Sequence, residues 1–181
     1  MNSKKIVIFG SAGTGKSSTG KLLAKTLGYE FKSTGNLMRE KAQDLGISIY
    51  EFEELCKKDS KYDLELDSMV ENFGKSSEGF VFESRLAWYF IPDALKIYFY
   101  CDEDLVFERI SKRESLSLAQ SRQLTTKRNE AILSRYSTIY PHITYPPKKE
   151  YFDLVVDTTG DSIEDSVAKI MDFLEKNNLL E

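Results

Sequence analysis

Histidine, cysteine and proline are scarce in this chain of 181 residues, at one, two and four. The lone His142 leaves no room for a histidine-based metal cluster or a Ser-His-Asp triad, and it reads as a loop residue without a role. Cys56 and Cys101 lie far apart and form no Cys-x-x-Cys pair, which argues against a disulfide framework and a zinc knuckle. Both read as reduced thiols, Cys101 at the end of a buried strand. Long apolar runs are missing too. Behind Met1-Asn2-Ser3-Lys4-Lys5 the apolar stretch reaches glycine after four residues, too short for a signal peptide or a membrane span, so the expected location is the cytoplasm. Positive charge is not in excess: 25 basic against 29 acidic residues give a net charge of -4, which argues against a surface that coats nucleic acid. The partner to expect is a small anion held locally. No linker, repeat or low-complexity tract divides the chain. With 41% hydrophobic residues it should bury one core, as one domain with an embedded mobile segment.

What is present is a glycine-rich loop. Gly10-Ser11-Ala12-Gly13-Thr14-Gly15-Lys16-Ser17 fills the pattern G-x-x-x-x-G-K-[ST] behind the apolar strand Ile6-Val7-Ile8-Phe9 and ahead of a helical segment. Glycines at these places let successive N–H groups turn onto phosphate oxygens at the positive end of the next helix. Lys16 adds a point charge for the β- and γ-phosphates of ATP, the Ser17 hydroxyl is placed to ligate Mg²⁺, and Ser18 completes the candidate phosphate-binding set.

Short apolar runs at 5–9, 29–32, 80–83, 95–100 and 152–156 alternate with helical periodicity, the pattern of an α/β fold with a parallel sheet covered on both faces. The first helix should run from Lys16 to Leu27 and stop at Gly28; a second should run from Thr34 to Gly46. Ser48-Ile49-Tyr50-Glu51 is a capping box for a third. Further helices are expected near 62–76, 103–113, 117–136 and 162–177, with Asp102 and Ser117 as N-caps. Residues 140–147, rich in proline, read as a loop.

Glu83 ends an apolar strand, where a carboxylate in a phosphate-loop protein serves Mg²⁺; pairing with Arg85 is the alternative. Arg109 and Arg113 are four apart, and Arg128 and Arg135 seven apart, so each pair should share a helix face. Such faces are either solvated or gathered around an anion. Phosphoryl transfer supplies one, because its transition state spreads negative charge over three oxygens. Asp63 and Asp67 stack on one helical face and repel, which calls for a base amine or an arginine between them unless they form a plain acidic surface.

Several phrases together resemble the nucleoside monophosphate kinases, and among them the short archaeal-type cytidylate kinases. They are Tyr29-Glu30-Phe31-Lys32-Ser33-Thr34-Gly35-Asn36-Leu37-Met38-Arg39-Glu40, Glu83-Ser84-Arg85-Leu86-Ala87, Arg109-Ile110-Ser111-Lys112-Arg113-Glu114, the Arg128 to Tyr136 segment, and Phe152-Asp153-Leu154-Val155-Val156-Asp157-Thr158. The resemblance implies a five-stranded parallel core at about 1–33, 79–112 and 150–181, acceptor-binding helices at about 34–78 and a mobile helical lid at about 113–149. It further implies that Arg39 and Arg85, with Thr34, Gly35, Asp63 and Asp67, hold the acceptor monophosphate. Arg109, Arg113, Arg128 and Arg135 would close over the phosphates as catalytic charges with Lys16. Asn36 departs from the pattern, standing where relatives commonly carry an acidic residue, and Ser84 replaces a usual glycine.

The expected activity is ATP- and Mg²⁺-dependent phosphorylation of a nucleoside monophosphate, CMP or dCMP, by a monomer. A monophosphate has a second pKa near 6, so its attacking oxygen is ionised at pH 7 without a general base. The alternatives are a kinase of another small acceptor and a nucleotide-binding module without turnover. No Asn-Lys-x-Asp motif for guanine appears.

Overall fold

The apolar runs pair side by side in the computed structural model, which describes residues 2–180. Strands β1 (Asn2–Gly10), β2 (Glu30–Ser33), β3 (Phe80–Glu83), β4 (Ala94–Tyr100) and β5 (Leu154–Asp157) form one five-stranded sheet, ordered β2-β3-β1-β4-β5. Every pairing is parallel, so the expected α/β class with a five-stranded parallel core is present. β1 starts earlier than its apolar run because its ladder to β4 shifts register between Asn2 and Ile6 and takes in polar residues.

Helices α1 (Lys16–Leu27), α2 (Thr34–Asp44), α3 (Ile49–Lys58), α4 (Lys61–Ser76), α5 (Ala87–Phe90), α6 (Glu103–Glu114), α7 (Leu118–Ile139) and α8 (Ile163–Lys176) connect the strands. The capping box at Ser48 and Glu51 forms, and Asp102 and Ser117 cap α6 and α7 as their sequence positions predict. The short α5 and a 3₁₀ turn at Lys149–Tyr151 have no periodicity long enough to be read from sequence. α7 runs past residue 136 to Ile139, because Tyr136 and Ile139 in its last turn pack inward.

Alternation along the strands divides the core in two. Ile6 and Ile8, with Val81, Ile97 and Phe99, face α1 and α8 through Leu23, Ile170 and Leu174. Val7 and Phe9, with Phe80 and Phe82, face α4, α5 and α7 through Val70, Trp88, Ile132 and Tyr136. Cys101, Val106, Phe107 and Ile110 make a third cluster between α6 and the glycine-rich loop. The carboxyl ends of β1, β2 and β3 meet at one edge: Ser33 pairs in register with Glu83, which pairs with Ile8. Open parallel sheets bind ligands at that edge. Among the described residues, no helix is long and apolar enough to cross a membrane.

Gly74 shows how tightly α4 is seated. A methyl group there would stand 2.6 Å from Ile91 Cγ1 and 2.8 Å from Cγ2, and Ile91 is only 1% exposed. Overpacking of this kind costs about 1–3 kcal/mol, whereas alanine gains about 1 kcal/mol over glycine in a helix. Gly74→Ala should therefore lower the unfolding free energy by about 1 kcal/mol, and at most about 2 kcal/mol, in a urea titration. A variant as stable as the parent would show that α4 and the Ile91 turn separate without cost.

Candidate active site

The glycine-rich loop is held in shape from behind. Gly13 and Gly15 take φ values of 80° and 85°, the left-handed region that side chains resist, and a Cβ on Gly10 would stand 2.7 Å from the Phe99 carbonyl oxygen. Thr14 Oγ1 donates to the Ser11 carbonyl at 2.9 Å. The buried Thr158 hydroxyl lies 3.1 Å from the Thr14 carbonyl and 3.0 Å from that of Tyr100. Arg109 Nη2 donates to the Thr158 carbonyl at 2.9 Å, while Nη1 sits 3.5 Å from the Gly13 carbonyl and 3.3 Å from Cys101 Sγ. A loop shaped in advance need not be ordered when an anion arrives.

At the mouth of the loop, Lys16 Nζ donates to the Ser11 carbonyl at 2.6 Å and stands 3.9 Å from Glu83 Oε1. Ser17 Oγ donates to Glu83 Oε2 at 2.5 Å. Glu83 therefore pairs with the loop rather than with Arg85, whose Nη1 reaches the Tyr145 hydroxyl at 3.4 Å. Burial above all, joined by the positive charges of Arg85, Arg128 and Arg113, pushes the Lys16 ammonium down to about 8, against the raising effect of Glu83. Three guanidiniums from three different parts of the chain thus bear on one half-buried lysine.

The second polar group lies across α7. Asp63 and Asp67 are both buried, at 6% and 8% exposure, which overturns the reading of a plain acidic surface. Arg135 Nη2 stands 3.4 Å from Asp63 Oδ1, and the Tyr140 hydroxyl donates to Asp67 Oδ2 at 2.5 Å. Burial raises both carboxyls. Asp67 reaches about 6, its bond from Tyr140 opposing the rise while the Asp63 charge adds to it; Arg135 holds Asp63 back. Asp63 Oδ2, Arg135 Nε and Thr34 Oγ1 are buried without a hydrogen-bond partner among the described residues. Unsatisfied buried groups are costly, so these three, on α2, α4 and α7, point to a ligand that completes them. Tyr136 lies between the two groups: burial pushes its phenol up to about 12, and it feels Arg85, Asp67, Arg135 and Tyr145.

Two expectations about the arginines change. Arg109 and Arg113 do not form a shared positive face, because Arg109 turns inward to backbone carbonyls while Arg113 pairs with Glu114 at 2.7 Å. Arg128 and Arg135 part likewise, Arg128 bearing on Lys16 and Arg135 on Asp63. Arg39 is exposed and folds over Gly35, its Nη1 3.8 Å from where a Cβ on Gly35 would stand. Asn36, the departure from the family pattern, accepts from Ser33 Oγ and shares the cap that starts α2. His142 is exposed beside the rings of Tyr89 and Tyr140. Thr158, Tyr136, Tyr140 and Tyr145 escape a reading of the sequence. Apart from the threonine's place after the last strand, no local pattern marks them.

A model of the cytidylate kinase-like family matches residues 5–160. A cytidylate kinase of Methanobrevibacter smithii is 34% identical over 167 residues, covering 92% of this chain and 95% of that protein. One from Methanosphaera stadtmanae is 29% identical over 170 residues, covering 94% and 97%. An S-adenosylmethionine-dependent nucleotide dehydratase of Lacinutrix mariniflava is 31% identical over 175 residues, which are 96% of this chain and 36% of that protein. Among solved structures, an uncharacterized protein from Eubacterium ventriosum superposes with a TM-score of 0.72 at 16% identity, over 94% of this chain and 97% of that one. Shikimate kinase from Acinetobacter baumannii gives 0.65 at 20%, over 97% and 95%; these likenesses are of fold alone.

The depressed Lys16 has a consequence for binding. A polyphosphate held against it would restore the charged form, so binding above pH 8 takes up a proton and weakens as pH rises. Calorimetry of ATP at pH 9, in buffers of different ionisation enthalpy, should report uptake of about one proton per site. Absence of uptake would mean that Lys16 does not meet the phosphates.

Proposed function

The chain belongs to the cytidylate kinase-like family of P-loop kinases, and within it we propose that this protein transfers the γ-phosphoryl group of ATP to CMP or dCMP. The observation that carries the reading is the glycine-rich loop itself, with Lys16 Nζ 3.9 Å from Glu83 Oε1, Ser17 bonded to the same carboxylate, and the positive charges of Arg85, Arg113 and Arg128 acting on that half-buried lysine. Such an excess of positive charge suits a substrate pair bearing several phosphates.

The loop amides and Lys16 hold the donor phosphates, with Arg109 and Thr158 keeping the loop in shape. Arg39 and Arg85 hold the acceptor phosphate, whose ionised oxygen attacks in line without a base. Arg113 and Arg128 neutralise charge that grows on the moving group, and water excluded from around them strengthens each interaction. The Ser17 hydroxyl and Glu83 carboxylate are adjacent hard oxygen donors, which suits Mg²⁺; they would hold the ion, which supplies charge neutralisation on the β- and γ-phosphates when bound. In this reading residues 1–33, 79–112 and 150–181 form the donor core, 34–78 the acceptor side and 113–149 the lid. All the groups come from one chain, and the working unit is a monomer.

The base is read at Asp63. Its unpartnered Oδ2 accepts from the N4 amine of cytosine, where uracil would present an oxygen and be repelled. Thr34 and Gly35, at the start of α2, complete the acceptor wall, and Asp67 stands behind Asp63.

An assay of ADP release over AMP, CMP, dCMP, UMP, GMP and dTMP tests this reading. CMP and dCMP should exceed UMP in kcat/KM by about 10- to 100-fold, the range of one good base contact. Asp63→Asn should remove that preference while leaving the KM for ATP unchanged. Lys16→Ala should cut turnover at least about 100-fold in a folded protein. No turnover with any monophosphate would refute the kinase, and an undiminished preference in Asp63→Asn would refute the base assignment.

A further inference from the structure

Two buried carboxylates lie one helical turn apart, and they are not equivalent. Asp67 has its Oδ2 occupied by the Tyr140 hydroxyl at 2.5 Å, while Asp63 has its Oδ1 beside Arg135 and its Oδ2 without a partner among the described residues. Both partners come from the C-terminal half of α7 or the residue just beyond it. The same helix carries Arg128, whose charge bears on Lys16. We infer that Tyr140 is a positioning residue for base selection: by pinning Asp67 it leaves Asp63 as the one carboxylate oxygen presented to the base.

The inference rests on the kinase reading above and deepens it. Without the phenol, Asp67 would be buried beside Asp63 with nothing holding its orientation. It would then take a proton more readily, because the bond from Tyr140 is the larger of the two effects that oppose burial, the other being the Arg135 charge. A protonated carboxyl is a hydrogen-bond donor. A mobile donor beside Asp63 can meet the O4 of uracil, so discrimination against UMP is lost, most of all on the acid side. The groups facing Asp67 are Tyr140 and Arg135 from α7 and its end, Asp63 on its own helix, and Tyr136, whose buried phenol stays protonated. Of these Asp67, raised to about 6, changes charge between pH 5 and 8, while Arg135 favours the ionised form of Asp63. Asp67 is therefore the group that the pH profile reports.

The ring of Tyr140 packs edge-on against Phe90 at 5.7 Å between centroids, so Tyr140→Phe keeps the packing and removes only the hydroxyl. The experiment compares the full chain with Tyr140→Phe and Asp67→Asn in kcat/KM for CMP and for UMP between pH 5 and 8. In Tyr140→Phe the CMP to UMP ratio should fall about five- to tenfold at pH 7, the scale of one lost hydrogen bond. The fall should lie in the KM for the monophosphate, with the KM for ATP unchanged. The midpoint at which the ratio declines with acid should move to higher pH than in the parent. In Asp67→Asn, where an amide cannot titrate, the ratio should lose its dependence on pH. A loss of stability alone would lower all rates together and leave ratio and midpoint where they were, which would overturn the inference. Parent turnover of CMP with an unchanged ratio in Tyr140→Phe overturns the role of Tyr140 only; a parent that turns over no monophosphate overturns the kinase reading and this inference with it.

Discussion

Positive charge is concentrated where the chain as a whole has none to spare. The charges of Arg85, Arg113 and Arg128 bear on Lys16, which stands 3.9 Å from the Glu83 carboxylate, in a protein of net charge -4. Like charges brought together in a partly buried place repel, and burial adds to the cost of each. The strain is visible in the ammonium of Lys16, pushed down to about 8. An anion of several charges relieves it. Most of what surrounds the loop can be understood as keeping that arrangement intact: Thr158 and Arg109 fasten the loop backbone, and Glu83, beside the Ser17 hydroxyl, supplies an opposing charge.

The acidic pair is the counterpart on the other side of α7. There the charge is negative and the relief comes from Arg135 and Tyr140, leaving one carboxylate oxygen unused. A helix of 22 residues joins the two groups, with Arg128 toward the loop and Arg135 toward Asp63. Ser121 fastens its first turns to the Phe107 carbonyl at 2.7 Å, and Ile132 and Tyr136 sink into the core below. A rigid element that carries charges toward both groups can report the filling of one to the other, which is a physical reason to place Arg128 and Arg135 on one helix.

Much of this architecture is legible before any coordinates. Strands that alternate between two cores are unbroken apolar runs, and a polar capping residue names the start of several helices, as at Ser48, Asp102 and Ser117. Lys16, Ser17 and Glu83 are legible because a phosphate loop needs them at fixed offsets from strand ends. The stacked aspartates are legible as a problem without their solution. Their partners lie more than seventy residues away, in Arg135 and Tyr140, and no spacing along the chain predicts a contact of that kind. The arginine pairs mislead for the same reason. Helical spacing puts Arg109 beside Arg113, but a guanidinium long enough to reach the Thr158 carbonyl goes there instead.

The central claim is that the guanidiniums around Lys16 act on the phosphoryl group as it moves rather than on the bound nucleotide. Arg128→Ala tests it most directly, with kcat measured by ADP release and the ATP dissociation constant by calorimetry on the same preparation. If the charge is met mainly in the transition state, kcat and kcat/KM should fall together by about a thousandfold, as for other arginines of this kind, with ATP affinity within about threefold of the parent. A variant that loses ATP affinity and keeps its kcat would contradict the account.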